Sequence, residues 1–230
     1  MTPLFSTAYL PPVPYVATLL QHPEALVEAH ETYPKQTYRN RALILTAGGV
    51  RPLTVPVVRT QGNHSRTCHI AIDYHTRWNV VHLRTLDAAY AASPYYMYYR
   101  DGLHAALMQR YDRLLDLNQA LLAWLQRCLK TNVKVEFTTD WLPLGPAGAP
   151  AYPHDYRNAF SPKTTAHCPP PTAHRPLPTA HCPLATGHWP LTTEPYYQVF
   201  SDRHPFTPGL SIVDLLFNLG PEAAGYLQVH

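Results

Sequence analysis

The sequence predicts an α/β protein with a strand–helix–strand opening, a small mixed sheet, a helical second half and a Pro/His-rich disordered insertion. Three observations predict it. Short apolar runs separated by turn residues fill the first third of the chain, as strands and their connections do. Helical spacing of apolar residues dominates from Trp78 to Lys130. A seven-residue repeat with proline in every unit occupies residues 165–192, where no helix can form. The 230 residues are 46% hydrophobic, enough for a sizeable core, and only 14% charged, below the usual quarter. The expected organisation is a core over 1–142, a Pro/His-rich loop over 143–195 and a C-terminal segment over 196–230 that packs back on the core.

Leu4–Tyr9 reads as a short buried strand, and Leu10-Pro11-Pro12-Val13-Pro14 as a turn. Tyr15–Gln21 reads as a helix stopped by Pro23, and Ala25–Ala29 as a second strand. Such a unit is a parallel pair with a crossover helix. Leu43–Thr46 and Leu53–Val58 flank Gly48-Gly49, a hairpin signal. His69–Ile72 reads as another short strand. Trp78, His82, Leu86 and Tyr90 mark one face of a helix over Trp78–Ala91. Asp101–Lys130 reads as one long helix, straight or kinked, with a stripe through Leu107, Tyr111, Leu114, Asn118, Leu121, Leu125 and Cys128. Lys134–Phe137 is a strand. A last helix begins at Ser211, with Asp214 as its capping partner, and ends at Gly220-Pro221.

The chemistry concentrates in His30–Arg41, between two apolar runs. This stretch holds Lys35, Arg39, Arg41, Tyr33, Tyr38, Asn40, His30 and Glu31. It follows the second strand, and ligand sites of parallel sheets gather beyond the carboxyl ends of strands. The three cations suit an anion such as a phosphate, although a solvated charged turn fits them too. Tyr33 and Tyr38 either stack on a sugar or line the core edge. His30 or Glu31 can serve as a general base. His82, on an apolar stripe, is a core histidine or a second candidate base. Asn118 needs partners from the backbone or from a ligand.

Other classes lose weight. A net charge of +3 is too mild for a DNA-binding protein. The N-terminus lacks the basic and apolar regions of a secretory signal, and no apolar run approaches the roughly 20 residues of a membrane span. A cytoplasmic protein is therefore expected, with Cys68, Cys128, Cys168 and Cys182 as free thiols. No P-loop, G-x-G-x-x-G, H-E-x-x-H or G-x-S-x-G is present, and no other nucleophile signature is visible. His167, His174, His181 and His188 recur in the repeat beside Cys168 and Cys182. Their spacing and setting fit a surface insertion better than a zinc site. No metal and no cofactor is expected.

Several segments together resemble the WbqC-like protein family. They are Thr7-Ala8-Tyr9-Leu10-Pro11-Pro12, Tyr33-Pro34-Lys35, Arg39-Asn40-Arg41 and Leu53-Thr54-Val55-Pro56-Val57. Trp78 with His82 and Tyr90, then Ser93-Pro94-Tyr95, continue the likeness. Tyr197–Phe200 and Leu210–Gly220 complete it, so that only residues 143–192 lack a counterpart. Gly209 stands where relatives often carry Asn. The resemblance implies a role in bacterial polysaccharide gene clusters, including those for O-antigen, and attachment of an amino acid such as glycine to a sugar amine.

The leading expectation is thus a transferase acting on an activated amino sugar. Lys35, Arg39 and Arg41 hold a nucleotide-sugar phosphate, Tyr9, Tyr33 and Asn40 orient sugar groups, and His30, Glu31 or His82 takes the amine proton. An aminoacyl-tRNA is a possible acyl donor. The alternative is a non-catalytic module that binds a phosphorylated glycan or nucleotide-sugar through the same residues.

Overall fold

The computed structural model describes residues 2–59, 62–143, 154–162 and 194–229. The repeat at 165–192 and most of the expected loop at 143–195 lie outside the described residues.

The strand–helix–strand opening is present. Strand β1 (Leu4–Ser6) pairs in parallel with β2 (Glu24–Glu28), and helix α1 (Val13–Leu20) crosses between them. The helix starts earlier than Tyr15 because Pro14 occupies its first turn, where the missing amide costs nothing. Strand β1 is shorter than Leu4–Tyr9. The Tyr9 amide instead donates to the Tyr38 carbonyl, and Leu10 turns the chain at φ 41°.

A hairpin follows. Strands β3 (Arg41–Thr46) and β4 (Gly49–Thr54) are antiparallel around Ala47-Gly48, and Gly49 has φ 99°. Pro56 ends the run expected over Leu53–Val58, so β5 (Val57–Val58) pairs separately with β6 (Ala71–Ile72).

Three helices form the bulk of the second half: α2 (Trp78–Tyr90), α3 (Tyr96–Met108) and α4 (Leu114–Leu129). The expected long helix over Asp101–Lys130 is therefore two helices. The break lies where Ile72 N donates to the Asp112 carbonyl and Leu114 N to the Ile70 carbonyl. These tertiary bonds hold the backbone extended at Arg113 although the apolar stripe continues through it. Gly102 makes the α3–α4 approach possible, since a Cβ there would stand 2.7 Å from Trp124 Nε1.

Strand β7 (Lys134–Phe137) matches its expected limits and joins the far side of β2 in parallel. The sheet order is β1-β2-β7, and an isolated parallel bridge between Leu4 and Asp155 extends the β1 edge. One face of this sheet carries Phe5, Val27 and Phe137, packed with Tyr15 of α1.

Helix α5 (Ile212–Leu219) starts at Ser211, but no side chain caps it. Ser211 Oγ donates to the Leu10 carbonyl. Asp214 is not the capping residue that its position suggests. It is buried, and accepts hydrogen bonds from Tyr90 at 2.8 Å, Tyr196 at 2.7 Å and Gln198 at 3.3 Å. Gly220 closes the helix at φ 57°, and a short helix α6 (Ala223–Val229), unexpected from the sequence, packs on α1. Gly209 adopts φ 72°, a left-handed conformation that glycine takes at no steric cost, in the turn before α5.

Candidate functional site

Beyond the carboxyl ends of the parallel strands lies a cleft of about 470 Å³. Three crossings supply its walls. The loop after β2 brings His30, Glu31, Thr32, Pro34 and Arg39; the segment after β7 brings Trp141; and the chain beside β1 brings Arg157 and Asn158. Arg66 joins from the segment bridged to Thr32. This is the edge at which open parallel sheets collect ligands.

Glu28, the last residue of β2, holds the cleft together from below. Its Oε1 accepts the His30 amide at 2.8 Å and the Thr138 hydroxyl at 2.9 Å. Its Oε2 accepts the Leu142 amide at 3.0 Å and Arg157 Nη1 at 3.4 Å. One buried carboxylate thus ties the three segments to each other. Asp155 completes the Arg157 pairing at 2.6 Å, and the Leu142 carbonyl accepts Arg157 Nη1 at 2.6 Å. A charge with this many partners can stay buried.

Glu31 and Arg39 form a fork-to-fork pair, with Nε to Oε1 at 2.7 Å and Nη2 to Oε2 at 2.8 Å. Asn118 on α4 fixes the Arg39 backbone, donating to its carbonyl at 2.8 Å and to Thr7 Oγ1 at 3.0 Å. Arg66 differs from both other arginines. It is exposed and makes no ion pair to a described residue. Trp141 is 52% exposed, an apolar plane at the rim.

Of the residues singled out in the sequence, His30, Glu31 and Arg39 share this cleft. They sit beyond the end of β2, in a loop, and not on the strand itself. Lys35 is exposed on the same loop, in a turn where Gln36 has φ 58°; it is outside the cleft lining. Arg41 begins β3, half-buried. The three cations therefore do not form a single cluster at the cleft. Asn40 is committed to the hairpin, where its Nδ2 donates to the Val55 carbonyl at 2.8 Å. Tyr33 lies in the core with the Arg59 guanidinium 5.2 Å from its ring centre. Burial pushes its hydroxyl up to about 12, against the opposing pull of Arg59, Arg39 and Arg41.

Tyr9 and His82 form a separate buried pair, with Tyr9 Oη 2.9 Å from His82 Nδ1 and Trp78 packed on both rings. Neither residue lines the cleft. Burial lowers the His82 imidazole to about 4, only partly countered by a hydrogen bond with the Thr54 backbone. A second, smaller cavity of about 140 Å³ lies between α4 and the sheet, lined only by uncharged residues such as Thr7, Gln126 and Phe137. Among the described residues, no three His, Cys, Asp or Glu side chains gather into a metal-binding group. No described helix is long and apolar enough to cross a membrane.

Sequence reasoning missed Glu28, Arg66, Trp141, Arg157 and Asn158. One signal was readable: a carboxylate ending the apolar run Ala25-Leu26-Val27 demands buried partners. Those partners come from positions 138–157, which no local pattern links to β2.

No curated protein and no solved structure matches this chain. The model of the WbqC-like protein family matches residues 7–146, which includes β2, β7, α4 and the cleft residues up to Trp141. The C-terminal motifs at 197–220 fall outside that match. With more than half of its length covered, the chain belongs to the WbqC-like protein family.

Proposed function

We propose that the protein is a transferase of bacterial surface-polysaccharide assembly that joins an acyl group, such as an aminoacyl group, to the amine of an activated amino sugar. The cleft beyond β2 is its site. The observation that carries this reading is the company His30 keeps there: a half-buried imidazole in a cleft with Arg66, which has no ion pair among the described residues, an exposed indole and an Asn side chain. Arg66 meets the phosphate of the activated sugar. Trp141 covers an apolar sugar face, and Asn158 serves its hydroxyls. His30 takes the proton as the amine nitrogen bonds to the acyl carbon, and returns it to the donor's ester oxygen as the C–O bond breaks. The Glu31–Arg39 fork keeps the loop in place, so that the rate comes from positioning and proton transfer.

Tyr9, Asn40 and His82 support the scaffold in this reading. An aminoacyl-tRNA remains a candidate donor; steeply salt-dependent binding is its signature. A non-catalytic module for a phosphorylated glycan is the competing reading. It is favoured by the self-pairing of Glu31 with Arg39 and of Asp155 with Arg157, which leaves few free charges for chemistry.

The test begins with mass spectrometry of nucleotide-sugars that co-purify with the protein, followed by calorimetry with the sugar identified. Arg66→Ala weakens binding under both readings. His30→Gln abolishes acyl transfer and spares binding only if the protein is an enzyme. Transfer that survives His30→Gln unchanged removes His30 as the base.

A further inference from the structure

A nucleophile that no sequence motif announced stands beside the cleft, against His30 of its lining. Cys68 Sγ lies 3.7 Å from His30 Nδ1, within hydrogen-bond reach for sulfur. The two residues are 38 positions apart, and a set of backbone bonds brings them together. Cys68 N donates to the Ala29 carbonyl at 2.8 Å, Thr67 N to the Glu31 carbonyl at 3.0 Å and Tyr33 N to the Ser65 carbonyl at 2.9 Å. The segment 65–68 is thereby stitched along 29–33, and Cys68 is set opposite His30. From the other side, Glu28 holds the His30 amide at 2.8 Å. The backbones of both members are held by these hydrogen bonds. Cys68 is half-buried, and Arg66, two positions before it, lines the same cleft as His30.

We propose that Cys68 and His30 form a nucleophile–base pair that carries the acyl group as a thioester. A thiol in contact with a cleft-lining imidazole, and an exposed arginine two positions before it with no ion pair among the described residues, supply the parts that covalent acyl transfer requires. This step deepens the transferase reading and rests on it, replacing direct attack of the amine on the donor ester by two transfers through sulfur. His30 Nδ1 takes the thiol proton, and the sulfur bonds to the carbonyl carbon of the donor ester. The C–O bond breaks, and the leaving oxygen recovers the proton from His30. The sugar amine then attacks the thioester carbon, the C–N bond forms, the C–S bond breaks and the thiol is restored with the amine's proton. No electrons enter or leave the cycle.

The experiment uses the full chain and p-nitrophenyl acetate as the probe. One equivalent of nitrophenolate is released in a burst, and peptide mapping places the acetyl group on Cys68. The expected rate at Cys68 exceeds that of N-acetylcysteine, and His30→Gln slows it by about 100-fold with the circular-dichroism melt unchanged. Cys68→Ser removes the burst, and hydroxylamine releases the acetyl group from the wild type. Acetylation of Cys68 no faster than the free thiol, or indifferent to His30→Gln, overturns the pair. The outcome is separable from that of the transferase reading: a reactive Cys68 with no acyl transfer to any amino sugar sinks only the latter, and transfer intact in Cys68→Ser sinks only the thioester.

Discussion

Arg157 Nη1 stands 3.4 Å from Glu28 Oε2, and the two side chains are 2% and 0% exposed. This contact joins the end of the central strand to a segment 129 positions later in the chain. Removing the cation leaves Glu28 and Asp155 buried without it. Arg157→Met should therefore destabilise the fold by about 3–5 kcal/mol. Urea unfolding measures it, and a loss under about 1 kcal/mol would show the pair to be no stronger than a surface bridge.

The Tyr9–His82 pair makes a pH prediction. Burial holds the folded imidazole at about 4 against an ordinary 6.5. Between these values the unfolded chain binds the extra proton and the folded chain does not. The contribution of His82 is thus complete above pH 6.5 and is lost as pH falls toward 4, at up to about 1.4 kcal/mol per pH unit. The difference in stability between wild type and His82→Gln, followed from pH 7 to 4 by urea titration, should shrink by that slope. A difference constant with pH would place the imidazole's titration elsewhere.

Gly102 makes a third case, where local and tertiary effects oppose. Alanine at a helix interior position is ordinarily favoured by about 1 kcal/mol. Here its Cβ would meet Trp124 Nε1 at 2.7 Å and Cδ1 at 3.2 Å, in a ring that is itself buried. Gly102→Ala should be destabilising by about 1–3 kcal/mol, read as a lower thermal midpoint with altered tryptophan fluorescence. A higher midpoint would mean that α3 moves aside at little cost.

Arg39 and Arg66 should behave differently although both line the cleft. Arg39→Ala leaves Glu31 unpaired and frees the loop, so the protein loses stability. Arg66→Ala removes an exposed cation without an ion pair among described residues, so stability holds and affinity for a phosphorylated sugar falls about tenfold. Thermal melts and calorimetry on both variants separate the two roles.

The strand–helix–strand opening was legible because short apolar runs bounded by Pro11-Pro12 and Pro23 have few other readings, and β7 because Val135 and Phe137 alternate with charged residues. The long helix was misread because Tyr111 and Leu114 keep the helical period across a break imposed by backbone bonds to Ile70 and Ile72. Asp214 was misread as a cap because its partners, Tyr90 and Tyr196, come from distant elements. The same holds for the site. His30, Glu31 and Arg39 lie close together in sequence, and their grouping was visible. Arg66, Trp141 and Arg157 reach the cleft only through sheet pairing, which local patterning does not encode.

The order of strands in the parallel sheet has a further consequence, at the ribosome. β2 is the middle strand, yet the bonds on its β7 side, such as Thr138 to Glu28, close across 110 residues. At ordinary translation speeds this gap is roughly five to twenty seconds. Throughout that interval a newly made apolar strand presents one open edge, the geometry that recruits stray partners. Nascent-chain aggregation should therefore be most acute before Phe137 emerges, and ease once it does.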